Sequence, residues 1–250
     1  GVVMTDLPLV LQLQRDAADT SKPVSDLLRK AKIAAIKLDL TDLREWIDHE
    51  LSGYGGKVAP LDLPPYRKVY GQPQQFNPMH GWQPMYFEDD ETQDLMSQAF
   101  VFQSVGSLED MLNRPGAPQI FHMPYDQPRI NYLLKAVDIP MQMNIRIPAS
   151  SAYGVIDQVR NTILEWALEL EKRGILGDGY SFSDAERGAA QPAAQHVFHG
   201  PVGVVGTTHH TSVQAANTIN IGLDAVALLD FLVKARPGIE YLPDEYKSKA

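Results

Sequence analysis

Four of the seven histidines of this 250-residue chain, His196, His199, His209 and His210, fall in one short segment. Neutral imidazole suits zinc, nickel and copper, so two pairs brought together by a hairpin could hold a divalent metal. Two other readings stand beside that one. Histidines on a strand surface are ordinary solvated side chains, and no carboxylate lies between the pairs to act as a general base. Facing one another across subunits, the four would form a pH-sensitive contact, since histidine changes charge nearest neutrality.

Two further groups invite chemistry. Glu88, Asp89, Asp90, Glu91 and Asp94 form an acidic cluster with the oxygen donors that Mg²⁺ or Ca²⁺ requires. The same residues read as a solvated loop leading into a helix, where carboxylates favour the N-terminal dipole. His49-Glu50 has the first two residues of a zinc-protease helix, but Gly53 stands where the second histidine belongs. Glu45 and His49, four apart, read instead as a surface pair. No phosphate-binding loop, dinucleotide fingerprint or nucleophile elbow is present. The chain therefore reads as a protein without catalytic chemistry of its own, binding no cofactor beyond the divalent metal of the histidine reading.

Glycines recur at 200, 203 and 206, interleaved with Val202, Val204 and Val205 and preceded by Val197 and Phe198. Glycine at this spacing lets one backbone approach another, and valines on both faces of a strand need two dry surfaces. We expect this segment to be a strand through which the chain self-associates, as a trimer or higher oligomer. A solvent-exposed loop is the competing reading.

Composition sets the bounds. Net charge is -9, so no global positive field concentrates nucleic acid, and a nucleic-acid partner is not expected. The absence of cysteine excludes disulfides and thiolate metal sites and fits a reducing cytoplasm, where we place the protein. No stretch is long and apolar enough to span a membrane, and the first residues lack the basic and apolar regions of a signal peptide.

The elements follow from periodicity. Helices are predicted over 7–18, from Pro23 to Leu38, and from a Thr41 cap to Gly53, giving an N-terminal helical bundle over 5–58. Six prolines in or beside 55–83 predict an irregular crossing segment with one short strand near Tyr66–Tyr70. Strands are expected over 99–105, 119–123 and 142–147. A short helix capped by Ser107 and a second over 129–137 lie among them. Val155, Val159, Ile163, Trp166 and Leu170 mark the buried stripe of a long helix over 151–173, closed by Gly174 with Leu170 and Ile175 in contact. Ser183 and Glu186 form a capping box for a short helix, and 191–195 reads as a connector. The expected architecture is α+β: the bundle, an α+β body over 59–188, and a Gly/His-rich β segment with a last helix over 189–250.

Two blocks carry a resemblance. Leu43-Arg-Glu-Trp-Ile-Asp-His-Glu-Leu-Ser-Gly53-Tyr54 with Leu63-Pro-Pro-Tyr66-Arg67-Lys-Val-Tyr-Gly71 resembles the N-terminal block of the AbiTii domain family, associated with bacterial abortive infection. The run from Val159 to Ile175 with Gly177-Asp-Gly-Tyr-Ser-Phe-Ser183 resembles its second block, and Phe198 to Gly206 its glycine-rich strand. The resemblance implies an antiphage role with a toxin or effector function, and supplies no catalytic residues. Arg67 and Arg160, which fall in the matching blocks, suit an anion or, more readily, a structural salt bridge. We expect a defence protein that self-associates and recognises a protein partner or phage component. The alternative is a metal-dependent nuclease or hydrolase toxin using the histidines or the acidic cluster.

Overall fold

The computed structural model describes residues 7–136 and 142–198. They form an α+β chain whose contacts gather into two compact units, interleaved along the sequence. The first unit takes residues up to Tyr54, Phe102–Ala117 and the chain from Ala152; the second takes Gly55–Val101 and Pro118–Ser151.

The first unit is helical. It contains α1 (Leu9–Ala18), α2 (Val24–Lys37), α3 (Thr41–Ser52), α5 (Val105–Asn113), most of α7 (Ala149–Lys172) and α8 (Asp184–Phe198). The predicted stripe of α7 is fully buried from Val155 to Leu170. At its end the Ile175 N–H reaches the Leu170 carbonyl at 2.9 Å and the Gly174 N–H reaches Glu171 at 2.8 Å. These two bonds are the expected Schellman closure, with Gly174 at φ 75° where a side chain would be strained. The turn beyond it then serves another helix, because the Gly179 and Leu176 carbonyls accept the first N–H groups of α1, from Leu9 and Val10.

Arg160 fixes the other end of α1. Its Nη1 donates to the Asp16, Ala17 and Asp19 carbonyls and its Nη2 to Lys22 at 2.6 Å. A buried cation thus satisfies the orphan carbonyls of a helix C-terminus, where the dipole favours positive charge. Across the turn, Glu109 on α5 accepts the Val24 and Ser25 N–H groups and caps α2, whose own Pro23 has no side chain able to do so.

Four local expectations change. Helix α5 is capped by Ser104, whose Oγ accepts the Ser107 N–H, so Ser107 lies inside the helix. Thr41 is likewise the first helical residue of α3 and not its cap. The strand expected over 99–105 is only Gln98–Phe100, because Ser104 turns the chain into that helix. Residues 191–195, Val197 and Phe198 continue α8 to fifteen residues, where a connector and then a strand were expected. Alanines at 189, 190, 193 and 194 are the best helix formers, and three of them are buried. His199, Gly200, Val202, Gly203, Val204, Val205, Gly206, His209, His210 and the last helix lie outside the described residues.

The second unit carries the sheets. Strand β1 (Lys68–Tyr70) pairs antiparallel with β4 (Gln98–Phe100). A four-stranded antiparallel sheet runs β3 (Gly81–Pro84), β2 (Gln72–Asn77), β6 (Met143–Pro148), β5 (Ile120–Pro124). Helices α4 (Asp90–Ser97) and α6 (Gln127–Ala136) belong to the same unit. The latter part of the segment expected to be irregular, from residue 72 on, is therefore a β-hairpin. Pro73 sits in a central strand without penalty because its own carbonyl accepts the Met85 N–H just past β3. N–H and C=O of one strand residue point the same way, so the missing donor falls where the hairpin ladder ends.

Gly71 sets how β2 enters the sheet. A Cβ there would collide with the Arg146 carbonyl oxygen and lie 2.8 and 2.9 Å from Ile145 and Ile147. Gly71→Ala should cost about 2–3 kcal/mol in urea denaturation, whereas Gly154→Ala, on an open helical position, should gain about 0.5–1 kcal/mol. Equal effects at the two sites would remove the close approach as the cause.

Acid should loosen the turn after α7. Burial raises the Glu186 pKa, but the N–H groups of Ser183, Gly177 and Leu176 and the Ser183 hydroxyl outweigh it and hold the carboxyl below its ordinary value of 4.5. The contribution is present above that value and is lost as pH falls through the lower folded value. Glu186→Gln should be less stable than the parent at pH 7, with the difference shrinking as pH drops below about 4. Paired thermal melts measure it.

Candidate functional site

Directly paired residues of an antiparallel ladder share a face, so register alone assembles the surface of interest. Phe76 opposes Trp82, Gln74 opposes Pro84 and Asn144, Gln72 opposes Arg146, and Arg146 opposes His122. All lie on one side of the four-stranded sheet. The opposite side carries Pro73, Ile145 and Ile147, which are buried.

Trp82 and His122 come from the two edge strands, yet their rings stack 6.1 Å apart with 27° between planes. Three strand spacings of about 4.8 Å would separate the edges by about 14 Å in a flat sheet. The rings therefore lean inward across a concave face. Trp82 stands level with Phe76 and His122 level with Gln72, so the diagonal between them crosses the row of Gln74 and Asn144. Phe76 packs edge-on to Trp82 at 5.4 Å.

Beneath that diagonal lie two amides. Gln74 is 9% exposed and Asn144 6%, and among the described residues neither Gln74 Oε1 nor Asn144 Oδ1 has a hydrogen-bond partner. A buried carbonyl without a donor costs about 1–3 kcal/mol, so such groups are rare and call for a reason. Around them the surface is open. Phe76 is 38% exposed, Trp82 37% and Met79, at the hairpin tip, 85%. Arg146 is exposed, and among the described residues no hydrogen bond or ion pair engages it.

The hairpin is rigidly built for an exposed element. Asn77 Oδ1 accepts the Met79 and His80 N–H groups, and Gly81 at φ 71° returns the chain into β3. Gln72 Nε2 donates to the Met85 and Pro73 carbonyls. In the same unit, Arg129 is buried with its guanidinium over the Phe100 and Tyr125 rings. It donates to Asp126 and to the Leu95 and Gln98 carbonyls at the end of α4. Burial pushes the Tyr125 hydroxyl well above its usual range, so it stays a donor to Met96.

The residues singled out from sequence lie elsewhere. Arg67 is fully buried and donates to the Val101 carbonyl at 3.0 Å, and Arg160 holds main-chain carbonyls in the first unit. Asp89 is the N-cap of α4: the Thr92 N–H bonds its carboxylate at 2.8 Å, and the Thr92 side chain and N–H together hold its pKa below the usual range. Asp90 and Glu91 follow in the first turn. The acidic cluster is thus a helix entry, and among the described residues no group of three acidic or histidine side chains is placed to hold a metal. His196 belongs to α8 and the other three histidines lie outside the described residues.

Sequence reasoning missed Phe76, Trp82 and Gln74 because it gave no strand to 72–84, and without that hairpin His122 and Asn144, on strands that were expected, had no ring or amide to face. The signal was present: Phe76-Asn77 and Gly81-Trp82 are aromatic residues flanking turn formers at hairpin spacing. The unpartnered carbonyls give a direct check. Asn144→Leu should leave the protein as stable or up to about 1 kcal/mol more stable in urea, since it removes an unsatisfied buried acceptor. A loss above 1 kcal/mol would mean that the carbonyl is satisfied.

A model of the AbiTii family matches residues 8–195, about three quarters of the chain. Neither the curated proteins nor the solved structures give a match. The chain belongs to the AbiTii family, an abortive-infection family, and its role is in bacterial abortive-infection defence.

Proposed function

We propose that this abortive-infection protein works by recognition: a phage or host component docks on the concave sheet face around Trp82 and His122, and no chemistry of its own follows. One observation carries the reading. Two edge-strand rings close over a pair of buried, unpartnered carbonyls, an arrangement that costs stability in the free protein and gains a purpose when a ligand supplies the donors. The exposed apolar tip formed by Phe76, Met79 and Trp82 extends the same surface, and contiguous apolar exposure of this kind marks interaction sites.

Self-association is the second half of the proposal. The interleaved glycines and valines of 200–206 support it through sequence alone, following directly on α8. An oligomer would present several copies of the recognition face and raise its effective affinity without new contacts. No helix among the described residues is long and apolar enough to cross a membrane, so action at a lipid bilayer is not part of this reading.

Phage plating on cells carrying the gene tests the recognition half. Trp82→Ala with His122→Ala should abolish most protection while leaving expression and melting temperature close to the parent, because both rings are exposed at strand edges. Protection equal to the parent would overturn the assignment of this face. Replacing all five of Gly200, Gly203, Gly206, Val202 and Val204 by serine, with mass measured under native conditions, tests the other half: a parent that is itself monomeric at micromolar concentration refutes it.

A further inference from the structure

The four-stranded sheet of the second unit has two edges, and they are built differently. On β3 the main-chain groups that face away from β2 belong to Trp82 and Pro84, because the Met85 N–H bonds Pro73 and fixes the alternation of the ladder. Pro84 has no N–H to offer, and the Trp82 carbonyl accepts from Gln83 Nε2. That edge is blunted. On β5 the Ala149 N–H bonds the Gln119 carbonyl at 2.8 Å, so in the same register Phe121 and Met123 exchange bonds with β6. The N–H and C=O groups of Ile120 and His122 therefore point outward, and among the described residues no partner meets them. This edge is open.

Its side chains invite the same conclusion. Strand β5 carries none of the lysines or carboxylates that keep an exposed strand from pairing with another chain. Phe121 and Met123 are only half-buried, although Ile147 and Ile145, opposite them on the same face, are fully covered. An apolar row thus reaches the margin of the sheet and ends there half-wet.

We propose that residues 201–205 of a second copy complete this edge as an added strand, antiparallel to β5. The proposal rests on the self-association reading above and says where the segment goes. That segment lies outside the described residues and follows closely on Phe198, the last of them, with residues 199–250 continuing the chain. From 200 to 206 it carries no charge. One register meets every requirement of the edge, with Gly203 opposite His122 and Val205 opposite Ile120, so that each pair exchanges both its main-chain bonds. Pro201 then falls opposite Pro124, at the ladder's end, where neither residue is asked to donate. Val202 and Val204 meet Met123 and Phe121 and carry the apolar row one strand further. Gly203 sets no side chain against the His122 ring. A slip of one residue would turn Val202 and Val204 to the other face.

The chain has no cysteine, so an engineered disulfide reads the register without ambiguity. Phe121 and Val204 would form a non-hydrogen-bonded pair with Cα atoms about 4.5 Å apart, inside the range of about 4.4–6.8 Å that a disulfide accepts. Full-length Phe121→Cys and Val204→Cys copies, one of them tagged, are co-expressed and oxidised. The expected product is a mixed, disulfide-linked pair that forms at least about tenfold faster than with Val205→Cys, whose side chain faces the other way. Ile120→Pro removes an outward N–H that β6 does not use. It should raise the concentration at which the oligomer dissociates at least about tenfold, with a melting temperature close to that of the dissociated parent.

An oligomeric parent whose Phe121→Cys and Val204→Cys copies do not link, or link no faster than the Val205→Cys control, overturns this inference and leaves self-association standing. So does a Phe121→Cys copy that links chiefly to another Phe121→Cys copy, which would pair β5 with β5. A bond formed only within one chain, when both cysteines are placed in the same copy, overturns the exchange between copies. An oligomer unmoved by Ile120→Pro counts against it equally. A parent that is monomeric at micromolar concentration removes the self-association reading itself, and this inference with it.

Discussion

The second unit depends on a contact too close for any side chain. Gly71 lies against the Arg146 carbonyl and the Ile145 and Ile147 side chains, so β2 enters the sheet with its backbone pressed on β6. From that point the pairing Gln72 with Arg146 and Gln74 with Asn144 follows residue by residue. A slip of one residue would exchange the two faces of β2, placing Pro73 and Gln75 on the concave side and burying Gln74 among isoleucines. The strands concerned are about seventy residues apart in sequence, so this steric constraint is what turns two distant segments into one surface.

Two buried guanidinium groups do the corresponding work for helix ends. Arg160 gathers four carbonyls where α1 gives way to α2, and Arg129 gathers two at the end of α4 while lying over two aromatic rings. In both places a cation fills acceptors that a helix leaves orphaned and meets the negative end of its dipole. Their rigid forks suit carbonyls spread over a turn, which a lysine's single ammonium would not span. Arginines that look available for anions in a sequence are thus already committed, while Arg146, which no block of sequence similarity highlights, is exposed and unengaged among the described residues.

What was legible in the sequence was what is decided locally. The stripe of α7, its Schellman end at Gly174 and the Ser183–Glu186 capping box each need only a few consecutive residues, and each is realised with the expected bonds. The hairpin of β2 and β3 was not legible, because Pro73 and Pro84 read as strand breakers. Whether a proline breaks a ladder depends on which side its missing N–H faces, and here that side is the ladder's end. Asn144 shows the same limit. It alternates with Ile145 as an outward polar residue should, yet it is buried, because a tryptophan and a histidine from two other strands lean over its row. Helix α8 runs through 191–195 because the propensity of the alanines at 189, 190, 193 and 194 outweighs Pro192, which lacks the N–H that would bond the Gly188 carbonyl.

The unpartnered amides sharpen the argument about purpose. A structural role predicts that a buried polar pair be satisfied within its own chain, as Tyr54 and Glu50 are at 2.7 Å. Gln74 and Asn144 instead occupy the two central strands of the sheet, where apolar side chains would pack at lower cost, and among the described residues their carbonyls have no partner. Gln75, on the other side of the same strand, also carries an unpartnered carbonyl, but it lies on the face opposite to Trp82, His122 and Arg146. Stability is therefore sacrificed at three places among the described residues, the third being the buried and unpartnered Trp166 Nε1 of the first unit, and it is the coincidence of empty acceptors, planar roof and unengaged arginine that separates a binding face from a merely imperfect core.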